Sequence, residues 1–284
     1  MPGMKRHDMA SNNQTKGCGV RALTAVELER HEAKYVIHPD QVEPIRDFIR
    51  PFCVNDPNAT GKIPEYTITT LQLDSEDLAL YRAKEVEALH RFKLRVRTYG
   101  KEGECPLFLE IKRKIKGVIN KSRATVACRH WGPDMCLSVD PSLSFRSRTE
   151  EAHYINFVRL VQQIGARPVM LIRYERESYL SKVDNYARVT FDRRVRYHPM
   201  RAWTLFPEYD RWRAMDSQTA LNREYPGIIL ELKTFSDCPQ WMVDMTRKFD
   251  LVRIGFCKYF AALRMESLFS GAEYSGASEN CTYR

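Results

Sequence analysis

The chain lacks the sequence features of several common protein classes. No run of about 18 apolar residues occurs, so no segment is expected to span a membrane. Residues 1–16 are polar and lack the apolar segment of a secretory signal, which predicts a cytoplasmic location. We also find no internal repeat and no low-complexity tract, which excludes repeat arrays and argues against a disordered chain.

Metal-binding and nucleophile motifs are absent as well. The eight cysteines include no Cys-x-x-Cys pair, and their scatter argues against a structural zinc site or a disulfide framework and favours a reducing cytoplasm. The seven histidines show no His-x-x-x-His spacing, and no Ser-His-Asp set stands out. Covalent catalysis by an activated nucleophile is therefore not what the sequence indicates.

Positive charge is what the chain has in excess. Its 284 residues carry 45 Lys and Arg against 36 Asp and Glu, a net charge of +9 and a pI of about 9.1. The hydrophobic content of 43% is that of a globular protein with a substantial core. Such a balance favours phosphate-rich partners, and the alternative is a merely soluble basic protein.

Two neighbouring segments concentrate this charge on one side of a strand. Residues 92–98 and 109–115 alternate apolar and charged side chains, and alternate side chains of a strand share a face. The charged faces carry Lys93, Arg95 and Arg97 on the first strand, and Glu110, Lys112 and Lys114 on the second. Five cations against one carboxylate repel each other unless an anion neutralises them, so we predict polyanion binding inside a sheet.

The remaining pattern predicts a mixture of strands and helices. Further strands are expected at residues 29–37, 66–73, 169–176, 187–195 and 227–234. Helices are expected at residues 39–49, 75–90, 149–164, 239–249 and 257–265. A glycine-rich connection at 99–105 joins the two basic strands, and residues 118–141 read as irregular.

The later strands repeat the separation of charged and apolar faces. Arg188, Thr190 and Asp192 alternate with Val189 and Phe191. Tyr174 shares a face with Arg176, and Glu231 shares one with Lys233. This pattern predicts an α+β protein built on a closed antiparallel barrel of about eight strands, with a charged interior and helices packed outside. The domain is expected to span residues 25–269, between flexible tails at 1–24 and 270–284.

Other interpretations of the same residues remain open. Arg95 and Arg97 also fit a solvated sheet edge, and Glu231 also fits an ion pair with Lys233. The basic run at residues 193–197 ends in a tyrosine, a composition found in nucleic-acid-binding segments. Nucleic acid is not the expected partner, because the other cations alternate into an interior instead of following an outer groove.

Six segments together resemble the polyphosphate polymerase domain of the vacuolar transporter chaperone (VTC) family, within the triphosphate tunnel metalloenzyme superfamily. They read Glu-Ala-Lys-Tyr at 32–35, Leu-Arg-Val-Arg-Thr-Tyr-Gly at 94–100, Leu-Glu-Ile-Lys-Arg-Lys at 109–114, Arg-Tyr-Glu-Arg at 173–176, Leu-Glu-Leu-Lys at 230–233 and Phe-Cys-Lys-Tyr at 256–259. The segments occur in the family's order and cover about residues 27–265. The resemblance implies a tunnel-like antiparallel barrel that holds a triphosphate.

The resemblance also implies roles for individual residues. Tyr174 matches an aromatic that contacts the nucleotide base, Glu231 the carboxylate that holds a divalent metal, and Lys258 a lysine beside the transferred phosphate. The cations that match those gripping the triphosphate and the growing chain are Lys34, Arg95, Arg97, Lys112, Arg176 and Arg188. Lys121 and Arg123 match further cations near the tunnel mouth. The other members of the charged faces, expected to contact substrate, are Lys93, Glu110, Lys114 and Lys233.

By this resemblance the chain is expected to be an ATP-dependent polyphosphate polymerase that uses Mn²⁺ or Mg²⁺ and releases ADP. Its partners would be ATP and inorganic polyphosphate. The hydrolytic branch of the superfamily shows Glu-x-Glu-x-Lys, whereas Arg30 stands here before Glu32 and Lys34, which favours the polymerase branch. Cys257 stands where the eukaryotic polymerases tend to have Ser. The alternatives are a triphosphate or nucleoside-triphosphate hydrolase and a noncatalytic polyphosphate-binding module.

Overall fold

The computed structural model describes residues 30–57, 59, 64–100, 106–116, 118–184, 186–208, 211–235 and 237–270. In these ranges the strands are β1 (Arg30–Ile37), β2 (Cys53–Asn55), β3 (Glu65–Asp74), β4 (His90–Tyr99), β5 (Leu107–Ile115), β6 (Val118–Val126), β7 (Arg167–Ser181), β8 (Ala187–Pro199), β9 (Arg213–Ala214) and β10 (Ile228–Phe235). The α-helices are α1 (Val42–Ile49), α2 (Ala79–Glu85), α3 (Pro133–Leu137), α4 (Arg148–Gln163), α5 (Gln218–Leu221), α6 (Gln240–Lys248) and α7 (Lys258–Ser270). The predicted tail at 1–24, residues 271–284 of the other tail, and residues 101–105 of the predicted connection lie outside these ranges.

One antiparallel sheet joins all the described strands. Eight strands follow the order β1-β10-β8-β7-β3-β4-β5-β6, while β2 pairs with β7 and β9 pairs with β8. The prediction of an antiparallel sheet with helices is confirmed. The prediction of a closed barrel of about eight strands is wrong, because no described pairing joins β1 to β6 and ten strands are found. Alternation identifies the faces of a strand but says nothing about whether the end strands meet.

Two hydrophobic cores cover the outer face of the sheet. The first packs α3 and α4 on β4, β5 and β6 through residues such as Leu94, Ile111 and Phe157. The second packs α1 and α6 on β1, β8 and β10 through residues such as Ile45, Phe191 and Met245. None of the described helices is long and apolar enough to cross a membrane.

A third core lies on the opposite, concave face, which also carries the charged side chains. Here Tyr259, Ala262 and Leu263 of α7 pack with apolar residues of the strands, including Ile172 and Ile229. Ile229 precedes Glu231 on the same face of β10, so that face changes from charged to apolar along the strand. The prediction that all helices pack outside is therefore wrong for α7.

Helix α4 shows how local sequence sets an element's ends. The Ser147 hydroxyl accepts a hydrogen bond from the Glu150 N–H at 3.1 Å and caps the first turn. Gly165 follows the helix with a φ of +56°, a left-handed conformation that glycine adopts at little cost. The helix predicted at 149–164 is confirmed to within one residue at each end.

Candidate functional site

The concave face of the sheet encloses a cavity of about 460 Å³. Its wall contains ten basic side chains, which are Lys34, Lys93, Arg95, Arg97, Lys112, Lys121, Arg176, Arg188, Lys233 and Lys258. Among the described residues, two carboxylates, Glu32 and Glu231, line the same wall. We call this cavity the first chamber. A second chamber of about 560 Å³ is also lined by Lys34, Lys93 and Lys112, and in addition by Lys114.

The strand register brings these groups together from distant parts of the chain. Lys34 of β1 lies opposite Glu231 of β10, which lies opposite Thr190 of β8. Towards the opposite end of the strand order, Lys112 of β5 lies between Lys93 of β4 and Lys121 of β6. Directly opposed residues of antiparallel strands present their side chains on the same face, so the cations converge on one space.

Glu231 is a carboxylate of the wall that neighbouring cations keep ionised. Its Oε1 lies 3.0 Å from Lys233 Nζ, and its Oε2 lies 3.4 Å from the Arg176 guanidinium. Burial alone would raise the pKa of Glu231, but Lys233, Lys34 and Arg176 outweigh burial and hold that pKa well below its usual range. The charge of this carboxylate is therefore present throughout the physiological pH range.

Asp192 is fully buried behind Glu231 and orients two cations. Arg176 donates to both Asp192 oxygens at 2.6 and 2.8 Å, and Lys258 Nζ donates to Oδ2 at 2.5 Å. Lys258 Nζ also lies 4.4 Å from the centre of the Tyr174 ring. The Arg176 guanidinium lies 5.3 Å from the same ring, so Tyr174 makes cation–π contacts with both cations, and at 3% exposure it presents little free surface.

Glu110 binds a second group of cations. Its Oε2 accepts from Arg95 Nε at 2.7 Å, and its Oε1 accepts from Arg123 at 2.7 Å and lies 2.6 Å from Lys121 Nζ. An Arg97 nitrogen lies 3.9 Å away. The Glu110 side chain is 0% exposed and does not line the cavity, so it stands behind the wall that these cations form.

Two lysines of the wall have lowered pKa values. Burial lowers the pKa of Lys112 to about 8, although its ion pair with Glu32 at 2.9 Å opposes this. Burial also lowers the pKa of Lys121 to about 7, against the opposing effect of Glu110. Lys121 therefore titrates near neutral pH, Lys112 stays largely protonated there, and an anion in the cavity would raise the pKa of both groups.

A thiol lies between the lysines at the junction of the two chambers. Lys93 Nζ is 2.8 Å from Cys257 Sγ, and Lys34 Nζ donates to the Phe256 carbonyl at 3.0 Å. Burial would raise the pKa of Cys257, but Lys93, the Phe260 N–H and Lys34 lower it to about 6. The neighbouring lysines thus favour the thiolate form of Cys257.

Some polar groups in the wall lack a hydrogen-bond partner. Thr70 Oγ1 and Arg97 Nε are buried and make no hydrogen bond with a described residue. Arg188 forms no ion pair within the described ranges and lies 5.5 Å from the Tyr186 ring. The two buried groups, Thr70 Oγ1 and Arg97 Nε, can accept water or a polar ligand as a partner, and the exposed Arg188 side chain can bind an anion.

The carboxylates of the wall fit a divalent cation that shares its coordination with a ligand. No group of three or more His, Cys, Asp or Glu side chains that could hold a metal occurs among the described residues. Glu231 and Glu32 nevertheless supply hard oxygen donors on neighbouring strands. Mg²⁺ and Mn²⁺ are commonly held by one or two carboxylates together with substrate phosphates, which suits this donor set.

The structure gathers most of the predicted site residues in one place. Of the fifteen, twelve line the first chamber, Lys114 lines the second, and Glu110 and Arg123 lie outside both linings. Glu32, Asp192 and Cys257 also belong to the site, although the sequence did not identify them as site residues. The alternation of Asp192 with Arg188, and the position of Glu32 two residues before Lys34, were the available signals.

Comparisons with known proteins place the chain in a family. The VTC domain model matches residues 29–267. No curated protein matches the chain. Two solved structures are similar in part: the PH1819 protein of Pyrococcus horikoshii OT3 has a TM-score of 0.43 and 12% identity, covering 84% of this chain and 99% of its own. The putative adenylyl cyclase HpAC1 of Hippeastrum, described as having a dominant triphosphatase activity, has a TM-score of 0.38 and 16% identity, covering 89% of this chain and 93% of its own. Neither score reaches 0.5, and the assignment does not depend on them. With a match across nearly all described residues, the chain belongs to the VTC domain family.

Proposed function

We propose that this chain is an ATP-dependent polyphosphate polymerase, which transfers the γ-phosphate of ATP to the end of a polyphosphate chain. The observation that carries the proposal is one cavity whose described lining includes ten Lys and Arg side chains and two carboxylates. A triphosphate and a phosphate chain are the ligands that such a wall neutralises. Membership of the VTC domain family supports a function on triphosphate or polyphosphate.

The reaction needs little from the protein beyond alignment and charge. A terminal phosphate oxygen of the acceptor chain forms a bond to the γ-phosphorus, and the bond from that phosphorus to the β–γ bridging oxygen breaks. The electron pair of the broken bond leaves with ADP. The attacking oxygen is already anionic, so no general base is required.

The cations of the wall supply the alignment. Arg95, Arg97 and Arg176 present guanidinium groups that can engage two phosphate oxygens, whereas Lys258 and Lys112 act as point charges. Asp192 fixes the position of Lys258 and Arg176, so both are oriented before a phosphate arrives. A pre-oriented charge contributes more to the transition state than one that must first reorganise.

Glu231, with Glu32 beside it, is the group proposed to hold a divalent metal. When bound, Mg²⁺ or Mn²⁺ would neutralise phosphate oxygens and polarise the γ-phosphoryl group. In this proposal Glu231 remains ionised and exchanges its contacts with Lys233 and Arg176 for the cation.

The products formed from ATP test the proposal. Purified protein is incubated with ATP and Mn²⁺, or with ATP and Mg²⁺, in the presence and absence of a short polyphosphate primer. Gel analysis of phosphate chains and assays for ADP and orthophosphate then distinguish the functions. Longer chains with release of ADP support the polymerase. Orthophosphate alone indicates triphosphate hydrolysis, and tight binding without turnover indicates a binding module; either result would overturn the proposal.

A further inference from the structure

Glu110 is a buried carboxylate placed between cations of two strands. It projects from β5, with Arg95 and Arg97 of β4 on one side and Lys121 and Arg123 of β6 on the other. The distances from its oxygens to these four cations run from 2.6 to 3.9 Å. The side chain is fully buried, so no substrate atom can reach it without a rearrangement of the wall.

The pattern of donors determines what the cations can still do. Arg95 uses its Nε for Glu110, and no described contact uses its two terminal nitrogens. Arg123 uses Nε and one terminal nitrogen, which leaves it less free to bind an anion. Arg95 lines the cavity whereas Arg123 does not, in agreement with this difference. The carboxylate therefore fixes the Arg95 fork with its free edge available to the cavity.

On the basis of the proposed function, we infer that Glu110 is a positioning residue that holds Arg95, Arg97 and Lys121 in the orientation needed for phosphoryl transfer. Without a bound phosphate chain these cations would repel each other, and the buried carboxylate offsets part of that repulsion. Lys121 and Arg123 remain more than one third exposed, and Glu110 contacts both. Arg123 also lies 4.4 Å from the centre of the Phe108 ring and donates to the Tyr99 hydroxyl at 3.2 Å. The sequence prediction that Glu110 contacts substrate is replaced in this inference by an action through its neighbours.

The pKa of Lys121 offers a second way to measure its contact with Glu110. The charged groups that act on it are Glu110 of β5, which raises its pKa, and Arg123 of β6 and Arg95 of β4, which lower it. Lys112 lies opposite it on β5. Protonated Lys121 favours an anionic ligand, so affinity should fall as pH rises through about 7. Removing Glu110 lowers the pKa of Lys121 further and moves this fall to lower pH.

The test compares Glu110→Gln with Glu177→Gln. Glu177 is an equally buried carboxylate that binds Arg46 at 2.6 Å and also Arg193, but it lies outside the linings of both chambers. Its variant therefore measures the cost of breaking a buried ion cluster away from the site. The measurements are kcat and KM for ATP with Mn²⁺, and calorimetric affinity for inorganic tripolyphosphate without metal from pH 6 to 9.

Glu110→Gln is expected to lower kcat by about 100-fold while KM stays the same or falls, because the cations lose their alignment but the cavity gains positive charge. The fall in tripolyphosphate affinity should move to lower pH, and Lys121→Met should remove that part of the profile. The double variant Glu110→Gln with Lys121→Met keeps the local charge balanced and should fold, with kcat still reduced.

Two results would overturn the inference. One is a rise in KM with kcat unchanged, which would mean that Glu110 contributes to binding and not to alignment. The other is behaviour identical to that of Glu177→Gln, which would mean a structural role alone. If the wild-type protein shows no turnover, the proposed function fails, and the pH profile of tripolyphosphate binding then decides only whether Glu110 holds Lys121 at the cavity: a shift in Glu110→Gln that is absent from Glu177→Gln supports that contact, and an unchanged profile contradicts it.

Discussion

Two carboxylates within the same group of cations differ in how their charge is used. Asp192 is saturated by Arg176 and Lys258, and its oxygens have short contacts to both. Glu231 has longer contacts of 3.0 and 3.4 Å and lines the cavity. Releasing Glu231 from its partners therefore costs less than releasing Asp192, and for this reason Glu231 is the residue proposed to hold the metal.

The first prediction concerns that metal role. Glu231→Gln should remove most turnover and leave metal-free tripolyphosphate binding intact, because the substitution weakens the metal site and lowers repulsion towards phosphate. Turnover with Mn²⁺ and calorimetric binding without metal check the two parts. Normal turnover of the variant at saturating Mn²⁺ would assign Glu231 to a simple ion pair with Lys233.

The second prediction concerns the guanidinium groups. Arg97→Ala should weaken tripolyphosphate binding by about 1.5–3 kcal/mol, the size of a lost charge-assisted contact. This corresponds to about 10- to 150-fold in Kd. Arg113→Ala is the matched control, because Arg113 belongs to the opposite face of β5 and does not line the cavity. Equal effects of the two substitutions would show that only net charge matters.

The third prediction concerns Cys257. Its pKa of about 6 makes it a thiolate at pH 8, where its charge opposes phosphate binding beside Lys93 and Lys34. Cys257→Ser should raise tripolyphosphate affinity about fivefold at pH 8, the effect of about 1 kcal/mol between charges near 4 Å in water. At pH 5 both side chains are neutral and the affinities should converge.

Cys238→Ser provides the control for that experiment, since burial raises the pKa of Cys238 and the residue lies outside the cavity lining. A Cys257→Ser variant with the same affinity as wild type at pH 8 would mean that the thiol is not ionised there.

At the scale of residues, the sequence predicted which cations share a strand face but not which residues they contact. Alternation on a strand places Arg95 and Arg97 on one face whatever the rest of the fold does. The contacts of Cys257 with Lys93, or of Glu32 with Lys112, join residues separated by 164 and 80 positions. Such contacts depend on the curvature of the sheet, which no local pattern contains.

At the scale of elements, strand β6 and helix α2 differ most from their predictions. The sequence predicts an irregular segment at 118–126, because Asn120 and Ser122 interrupt the alternation that marks the other strands. In the structure these residues form β6. The helix predicted at 75–90 is limited to Ala79–Glu85, because Leu78 before it has a left-handed φ of 58° and β4 begins at His90. In both cases tertiary contacts override a local signal.

Asp74 links α2 to α7 and gives a prediction for these elements. Its carboxylate accepts hydrogen bonds from the Leu80 and Tyr81 N–H groups and from the Tyr259 hydroxyl at 2.7 Å. Asp74→Ala should lower the free energy of unfolding by about 2–4 kcal/mol, combining a lost cap with buried donors left unpaired. Urea unfolding measures this value.

Asp77→Ala is the control for Asp74→Ala, because Asp77 lies in the same loop and is exposed. Its cost should stay below about 1 kcal/mol. Equal costs for the two variants would show that the buried network does not hold α2 and α7 together.

At the scale of the whole molecule, the sheet concentrates like charge in one enclosed space. Two outer cores hold its strands in place, and α7 with the concave core fills one part of the interior. The folded state therefore contains repulsion that a polyanion would remove. The sequence predicted this interior, but the open end of the sheet between β1 and β6 is a property of the complete chain.

A binding polyanion should consequently stabilise the entire protein. Tripolyphosphate at 100 times its Kd is expected to raise the free energy of unfolding by about 2.7 kcal/mol, and the melting temperature should rise with it. Sodium chloride of equal ionic strength should give a much smaller shift, since screening is weak in a partly buried cavity. Equal shifts with both salts would mean that the cavity does not bind the phosphate chain specifically.

The proposed function depends on the concave cavity being the phosphate-binding site and on Glu231 holding the metal there. A crystal structure with a nonhydrolysable ATP analogue and Mn²⁺ tests both points most directly. The triphosphate should contact Arg97, Arg176 and Lys258, and anomalous density for Mn²⁺ should lie beside Glu231. A triphosphate bound outside the cavity, or a metal held away from Glu231, would show that the site is assigned wrongly.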